Sequence, residues 1–474
     1  MTATAAPPAE PSAAAAQADT LVRRGLAQWQ RDDPQAAAAC FAEAASLAPG
    51  HAGAHNNLGN ALRALGRGEE AVACYRRTVA LRPDLAGAHS NLGLTLLALH
   101  RPAEAAQAFR AALRCRPDDA EACSNLGGAL LALDRPAAAV RWFRRALAHD
   151  GTLAEARFGE ALGLLALGRF RAGWAAYESR WQDPRFLAET RHDDLPQWRG
   201  PPGRALAGRT LLLHAEQGYG DTLQFVRYVP LLRRLGARVV LEVEAPLLRL
   251  LDGIADRVIA AGAAVPRCDL CCPLLSLPHA FRTGWREIPA AVPYLAAPPA
   301  LRRRWRRRLG ARDGRLRVGL VLSGSATDPD DALRSLPAAV ARMLLALPGI
   351  AFHLVQPALR ETEAAVLREA GTAYSHAGRL TDFAETAGLL GALDLLVSVD
   401  TAAAHLGGAL GMPVWLLLPF VADFRWLRRR SDSPWYPTMR LFRQETPGDW
   451  APVIARIAAA LAKAPVPSRP AAPP

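Results

Sequence analysis

Apolar positions along the chain follow two regimes with different periods. Between about residues 18 and 187 the pattern returns every 34 residues. Asn57, Leu58 and Gly59 recur as Asn91, Leu92 and Gly93, and again as Asn125, Leu126 and Gly127. Ala71, Tyr75 and Pro83 recur as Ala105, Phe109 and Pro117; the next unit keeps Ala139 and Phe143 but has Gly151 for the proline. A weaker unit precedes (Gly25, Ala37, Phe41, Pro49) and another follows (Leu164, Gly173, Tyr177). From residue 209 the regime changes. Short apolar runs bounded by Gly and Pro predict strands at 210–214, 239–243, 258–259, 270–277, 317–322, 351–355, 393–399 and 414–418. Helix-spaced stretches lie between them, as in Leu223, Val226, Val229, Leu232 and Leu235, and others are predicted at 337–346, 361–369, 402–410 and 450–463. A proline-rich break at 289–299 separates two such series, which predicts two Rossmann-like, doubly wound α/β halves facing a cleft.

The 34-residue pattern resembles the tetratricopeptide repeat, a helix-turn-helix unit that buries its apolar face only by stacking on its neighbours. The expected fold class is therefore multi-domain: an all-α tetratricopeptide solenoid over 18–189, then an α/β part. Residues 1–17 and 464–474 are low-complexity Ala/Pro sequence and are expected to be disordered. Residues 190–208, with Pro, Gly and Trp and no period, read as a docking linker. Asn57, Asn91 and Asn125 repeat at one position of the first helix of each unit. A ladder of side-chain amides there can pair with both polar groups of an extended peptide backbone. It resembles the asparagine ladder of O-linked N-acetylglucosamine transferases, and the resemblance implies a protein or peptide partner on the arm.

The stretch 393–423 organises the second part. It reads as strand, tight turn, helix and strand, with Asp400 and Thr401 at an N-cap and Gly411 at the stop. A helix opening at the carboxyl end of a strand offers free N–H groups and a positive dipole end, which suits a phosphate. Residues 401–422 carry no charge, but Gly407, Gly408, Gly411, Pro413 and Pro419 interrupt the run, so no transmembrane segment is expected. The N-terminus lacks a basic region followed by an apolar one, and the expected location is cytoplasmic.

The formal charge is +13 in 474 residues. Six arginines cluster around Trp305, which reads as a solvated helix between domains, with no nucleic acid expected as a partner. Cys268, Cys271 and Cys272 lack the second pair that a four-ligand site needs and read as a buried strand; no metal is expected.

Three segments, GYGDTLQF, RVGLVLSG and VSVDTAAAHLGGALGMPVW, resemble the heptosyltransferase-type glycosyltransferases (glycosyltransferase family nine) over about residues 210–461. The whole arrangement is similar to bacterial repeat-bearing glycosyltransferases. The resemblance implies a GT-B fold, with an acceptor half at 209–299 and a donor half at 300–463. It implies a metal-independent enzyme with no cofactor, using a nucleotide-diphosphate sugar as substrate. It places Asp221 as general base, in an acceptor-side turn with Gly218, Tyr219 and Gly220. It places Ser323, Gly324, Arg334, Gln356, Asp400, Thr401, Ala402 and His405 at the donor. Asp221 also reads as the cap of a helix starting at Thr222, and Asp400 as a cap or an acceptor from a sugar or ribose hydroxyl. Protonated His405 would offset charge on the leaving diphosphate. One loop departs from the family: Asp328, Asp330 and Asp331 bring negative charge to the donor side, with Arg334 the sole counter-charge in view. The expected function is transfer of a sugar to a protein or glycan hydroxyl. Two rivals are a protein O-linked N-acetylglucosamine transferase and a repeat scaffold that has lost catalysis.

Overall fold

The computed structural model describes residues 13–183, 186, 191–200, 206–326, 331–371 and 373–463. Most of the N-terminal tail, the C-terminal tail and part of the expected linker lie outside the described residues. The chain divides after Gly163 into two compact units.

The first unit is a series of helix pairs: α1 (Ala13–Gln30), α2 (Pro34–Leu47), α3 (Ala52–Ala64), α4 (Gly68–Leu81), α5 (Ala86–Ala98), α6 (Pro102–Cys115), α7 (Ala120–Leu131), α8 (Pro136–His149) and the start of α9 (Ala154–Ala166). Helix α1 starts at Ala13, inside the stretch expected to be disordered. The periodic residues explain the pairing. A Cβ built on Gly25, Gly59, Gly93 or Gly127 would lie 2.5, 2.7, 2.6 or 2.7 Å from the ring of Phe41, Tyr75, Phe109 or Phe143. Each aromatic sits against the glycine of the preceding helix, and the missing side chain sets the approach. Proline opens α2, α6 and α8, where its absent N–H leaves no bond unmade. The first helices α1, α3, α5 and α7 touch in succession and share a face.

The second unit takes in α10 (Phe170–Tyr177), a helix that the repeat pattern assigns to the solenoid. Two all-parallel sheets follow. One has the order β3-β2-β1-β4, from β1 (Thr210–His214), β2 (Arg238–Val243), β3 (Arg257–Ala260) and β4 (Leu270–Pro273). The other has the order β10-β9-β8-β5-β6-β7. Its strands are β5 (Leu316–Val321), β6 (Ile350–Leu354), β7 (Ala373–Ser375), β8 (Leu395–Val399), β9 (Val414–Leu418) and β10 (Met439–Arg443). Strands β4, β5, β6 and β8 are buried along their whole length, as parallel strands covered on both faces must be.

Several expectations are corrected. The strand expected over 270–277 ends at Pro273, where the chain turns into short helical segments. The stretch 222–236 is not one helix. It comprises Tyr219–Phe225, a 3-10 turn Val226–Tyr228 and Val229–Arg234, with Pro230 near the start of the last piece. The arginine-rich helix Pro299–Leu309 is not solvated all round. Trp305 is fully buried and donates to Glu385 (3.0 Å), and Arg304 pairs with the same carboxylate. The buried-strand reading holds for Cys271 and Cys272, which lie in β4 with burial pushing both thiols up, whereas Cys268 is half-buried ahead of that strand.

Candidate functional site

In each sheet the winding reverses once, and the crevice at the carboxyl ends of the strands there is where open α/β sheets take ligands. In the larger sheet the reversal lies between β5 and β8. Ser323 and Gly324 follow β5; Asp400, Thr401 and the helix Ala402–Ala409 follow β8. In the smaller sheet it lies between β1 and β4, and the chain leaving β1 leads to Gly218 and the helix Tyr219–Phe225. The two helices meet. A Cβ on Gly220 would lie 3.0 Å from His405 Cδ2 and 3.7 Å from the Ala402 Cα, so glycine admits this contact.

Asp221 is not the cap of a helix at Thr222. The helix starts at Tyr219, and Asp221 is its third residue, with Oδ2 accepting from the Gly218 amide (3.2 Å). Oδ1 pairs with Arg425 from the other half. Burial pushes this carboxyl up, while Arg425 and the Gly218 amide pull it back. Tyr219 is exposed and packs edge-on against Phe383, 5.2 Å between ring centroids.

Asp400 does not cap the Ala402–Ala409 helix either. Thr401 is the N-cap, without a side-chain bond to the helix, and its hydroxyl lies 3.2 Å from Ser398 Oγ. Asp400 Oδ2 accepts from Trp426 Nε1 at 2.7 Å. Burial, then repulsion from Asp423, raises the Asp400 carboxyl to about 6, against the Trp426 bond and the charges of Arg425 and Arg334. Among the described residues no backbone carbonyl accepts from the amides of Ala402 or Ala403, the first two of the helix. His405 does not carry the positive charge expected of it. Burial, then Arg425 and Arg227, push its imidazole well below the ordinary value, and its Nδ1 lies 2.9 Å from the Tyr436 hydroxyl.

In the loop after β5, Asp328 and Asp330 lie outside the described residues. Asp331 is compensated: it accepts from Ser335 (2.8 Å) and pairs with Arg334 (3.4 Å) and Arg360. Arg360, which also donates to the Gly324 carbonyl (3.2 Å), is a second counter-charge that the sequence does not reveal. A Cβ on Gly324 would meet Asp331 Oδ1 at 2.5 Å and Arg334 Nε at 2.7 Å. Gln356 is buried. Its amide joins the Leu322 N–H (2.9 Å), Ser323 (3.1 Å) and Glu363 (3.3 Å), and so ties the end of β5 to the helix Glu361–Ala370.

The largest omission is the turn after β9. Asp423 opens the 3-10 turn Phe424–Trp426, from which Arg425 reaches Asp221 and Gln224 (2.8 Å) while Trp426 reaches Asp400. A run of acid, aromatic and arginine shortly after a buried strand is the signal that points to it.

In the first unit Asn57, Asn91 and Asn125 lie half-buried on α3, α5 and α7. Asn91 donates to Asn60 of the preceding pair (3.1 Å), so one rung of the ladder is engaged internally. Among the described residues no group of three or more His, Cys, Asp or Glu is placed to hold a metal ion, and no helix is long and apolar enough to cross a membrane.

Comparison with known proteins matches residues 59–99 to the TPR repeat family and residues 90–155 to the tetratricopeptide repeat family. The chain is 29% identical over 330 residues to Protein FlbA of Caulobacter vibrioides, a match covering 64% of this chain and 54% of FlbA. The chain thus spans about half the length of the curated relative it matches. Solved structures with likeness include MamA from Desulfovibrio magneticus RS-1 (19% identity, 37% of this chain and 98% of that one, TM-score 0.33). Another is YrrB, described as a TPR protein with an unusual peptide-binding site (17%, 36% and 88%, TM-score 0.33). A third is pilF of Pseudomonas aeruginosa (19%, 47% and 88%, TM-score 0.34). The N-terminal region of this chain is an array of tetratricopeptide repeats, followed by an α/β region of parallel sheets.

Proposed function

We propose that the chain is a glycosyltransferase that moves a sugar from a nucleotide-activated donor to a protein or glycan hydroxyl, with a protein partner held on the repeats. The observation that carries this reading is the meeting of the two strand-reversal crevices, with Asp221 on one side and the open N-terminus of the Ala402–Ala409 helix on the other. The helix dipole and the Ala402 and Ala403 amides suit a donor phosphate, and Arg334 and Arg360 add positive charge on the Gly324 side. Asp221 would take the proton of the attacking hydroxyl as its oxygen bonds to the anomeric carbon, and the nucleotide would leave with the electron pair of the broken bond. His405, held neutral, acts in this scheme through packing on Gly220 and Tyr436 and not as a cation.

A second reading, a scaffold without catalysis, draws on the engagement of both Asp221 oxygens, by Arg425 and by the Gly218 amide. Thermal shift with ADP-, GDP-, UDP- and CMP-linked sugars separates the two. A shift with one donor, lost in Arg334→Ala, supports the transferase. No shift with any donor, in a folded protein, favours the scaffold.

A further inference from the structure

The segment leading out of the last repeat helix is built into the back of this site. Arg180 is fully buried, and its guanidinium grips Glu216 with two bonds of 2.9 Å, Glu178 with one of 2.9 Å and Ser276 with one of 2.8 Å. Glu216 is tied further by the Leu275 amide (3.0 Å). Tyr177, at the end of α10, meets the next residue along the chain: its hydroxyl lies 3.3 Å from Gln217 Oε1 and 3.1 Å from Gln217 Nε2. Gln217 has a backbone φ of 61°, a left-handed conformation that costs a non-glycine residue free energy and needs outside support. Gly218 and the helix that carries Asp221 follow directly.

The same segment supports the opposite wall. Trp174 of α10 packs edge-on against Phe225 (5.7 Å between centroids), Phe424 (5.6 Å) and Trp435 (6.4 Å). Phe225 ends the helix of Asp221, and Phe424 precedes Arg425. One short helix thus braces both partners of the Asp221–Arg425 pair.

The geometry points to Tyr177 and Arg180 as positioning residues of the site, which hold the 216–221 turn so that Asp221 is correctly aimed. Helix α10 is accordingly part of the transferase unit, although its sequence belongs to the repeat pattern. The functional side of this assignment rests on the transferase reading; the positioning itself does not.

The test is Tyr177→Phe in the full chain, which keeps the ring and removes the hydroxyl. Tyr75→Phe serves as control: its hydroxyl also makes a part-buried bond, to Asn60 at 2.7 Å, but in α4. Hydrogen exchange over residues 216–225 is expected to quicken at least about threefold in Tyr177→Phe and not in Tyr75→Phe. With an active donor, kcat is expected to fall about tenfold while the donor KM moves less than about twofold. Unchanged exchange over 216–225, or equal change in both variants, overturns the positioning role. A wild type that turns over no donor defeats the transferase reading alone, and the exchange result still decides the role of Tyr177.

Discussion

Asp400 receives opposing influences that a sequence does not display. Its neighbours along the chain are uncharged, yet Asp423, Arg425, Arg334 and Trp426 all act on it, and its carboxyl titrates at about 6. On the proposed function, repulsion between this carboxylate and a donor phosphate would be relieved as pH falls through that value. Nucleotide-sugar affinity is expected to rise as pH falls from about 7 to about 5.5 in the wild type and to be flat in Asp400→Asn, as read by calorimetric titration. A wild-type affinity that falls over the same range would place Asp400 on a sugar or ribose hydroxyl instead. At this scale the sequence singled out Asp221, Asp400, Thr401 and His405 because motif and strand-end position coincide, and the fold brings the two helices beside them into contact. The sequence misassigned the charge of His405 and the capping roles of Asp221 and Asp400, because those follow from Arg425, Arg227, Tyr436 and Trp426, which are distant in the chain.

At the scale of elements, the repeat helices are the most legible. A glycine and an aromatic at fixed spacing make each pair, and Gly93 shows how tightly. A methyl group there would lie 2.6 Å from Phe109, in a packed interior where neither helix can yield freely. Gly93→Ala is expected to destabilise the repeats by about 1–3 kcal/mol in denaturant unfolding followed by helical circular dichroism. Adding Phe109→Leu is expected to recover part of the loss; a neutral single variant would show that α5 and α6 shift at little cost. The strands β1 and β9 are legible to the residue, since a buried parallel strand is a short unbroken apolar run. The brief β7 and the edge strand β10, with its two arginines, are not, because neither shows that pattern.

For the whole molecule, the second unit buries histidines that its fold keeps neutral. Burial is the leading cause in each: His214, His353 and His376 are lowered to about 4, and His405 falls well below its ordinary value. The unfolded chain binds protons at these sites near pH ~6.5, and the folded one does not until about 4. The contribution of these histidines to stability is thus full above about pH 6.5 and declines as pH falls toward about 4, by about 1.4 kcal/mol per pH unit for each histidine. Thermal unfolding from about pH 7.5 to about 4.5 is expected to show the Tm dropping below about 6.5, with a shallower slope in His353→Gln; a flat profile would contradict neutral burial. The sequence by itself determined the repeat array, the two α/β series and the strand ends that carry the site, because periodicity and apolar runs are local properties of the chain. Only the tertiary structure decided that α10 belongs with the α/β unit, that Arg425 faces Asp221, and which groups are charged. Those outcomes depend on packing and desolvation between residues that no local pattern connects.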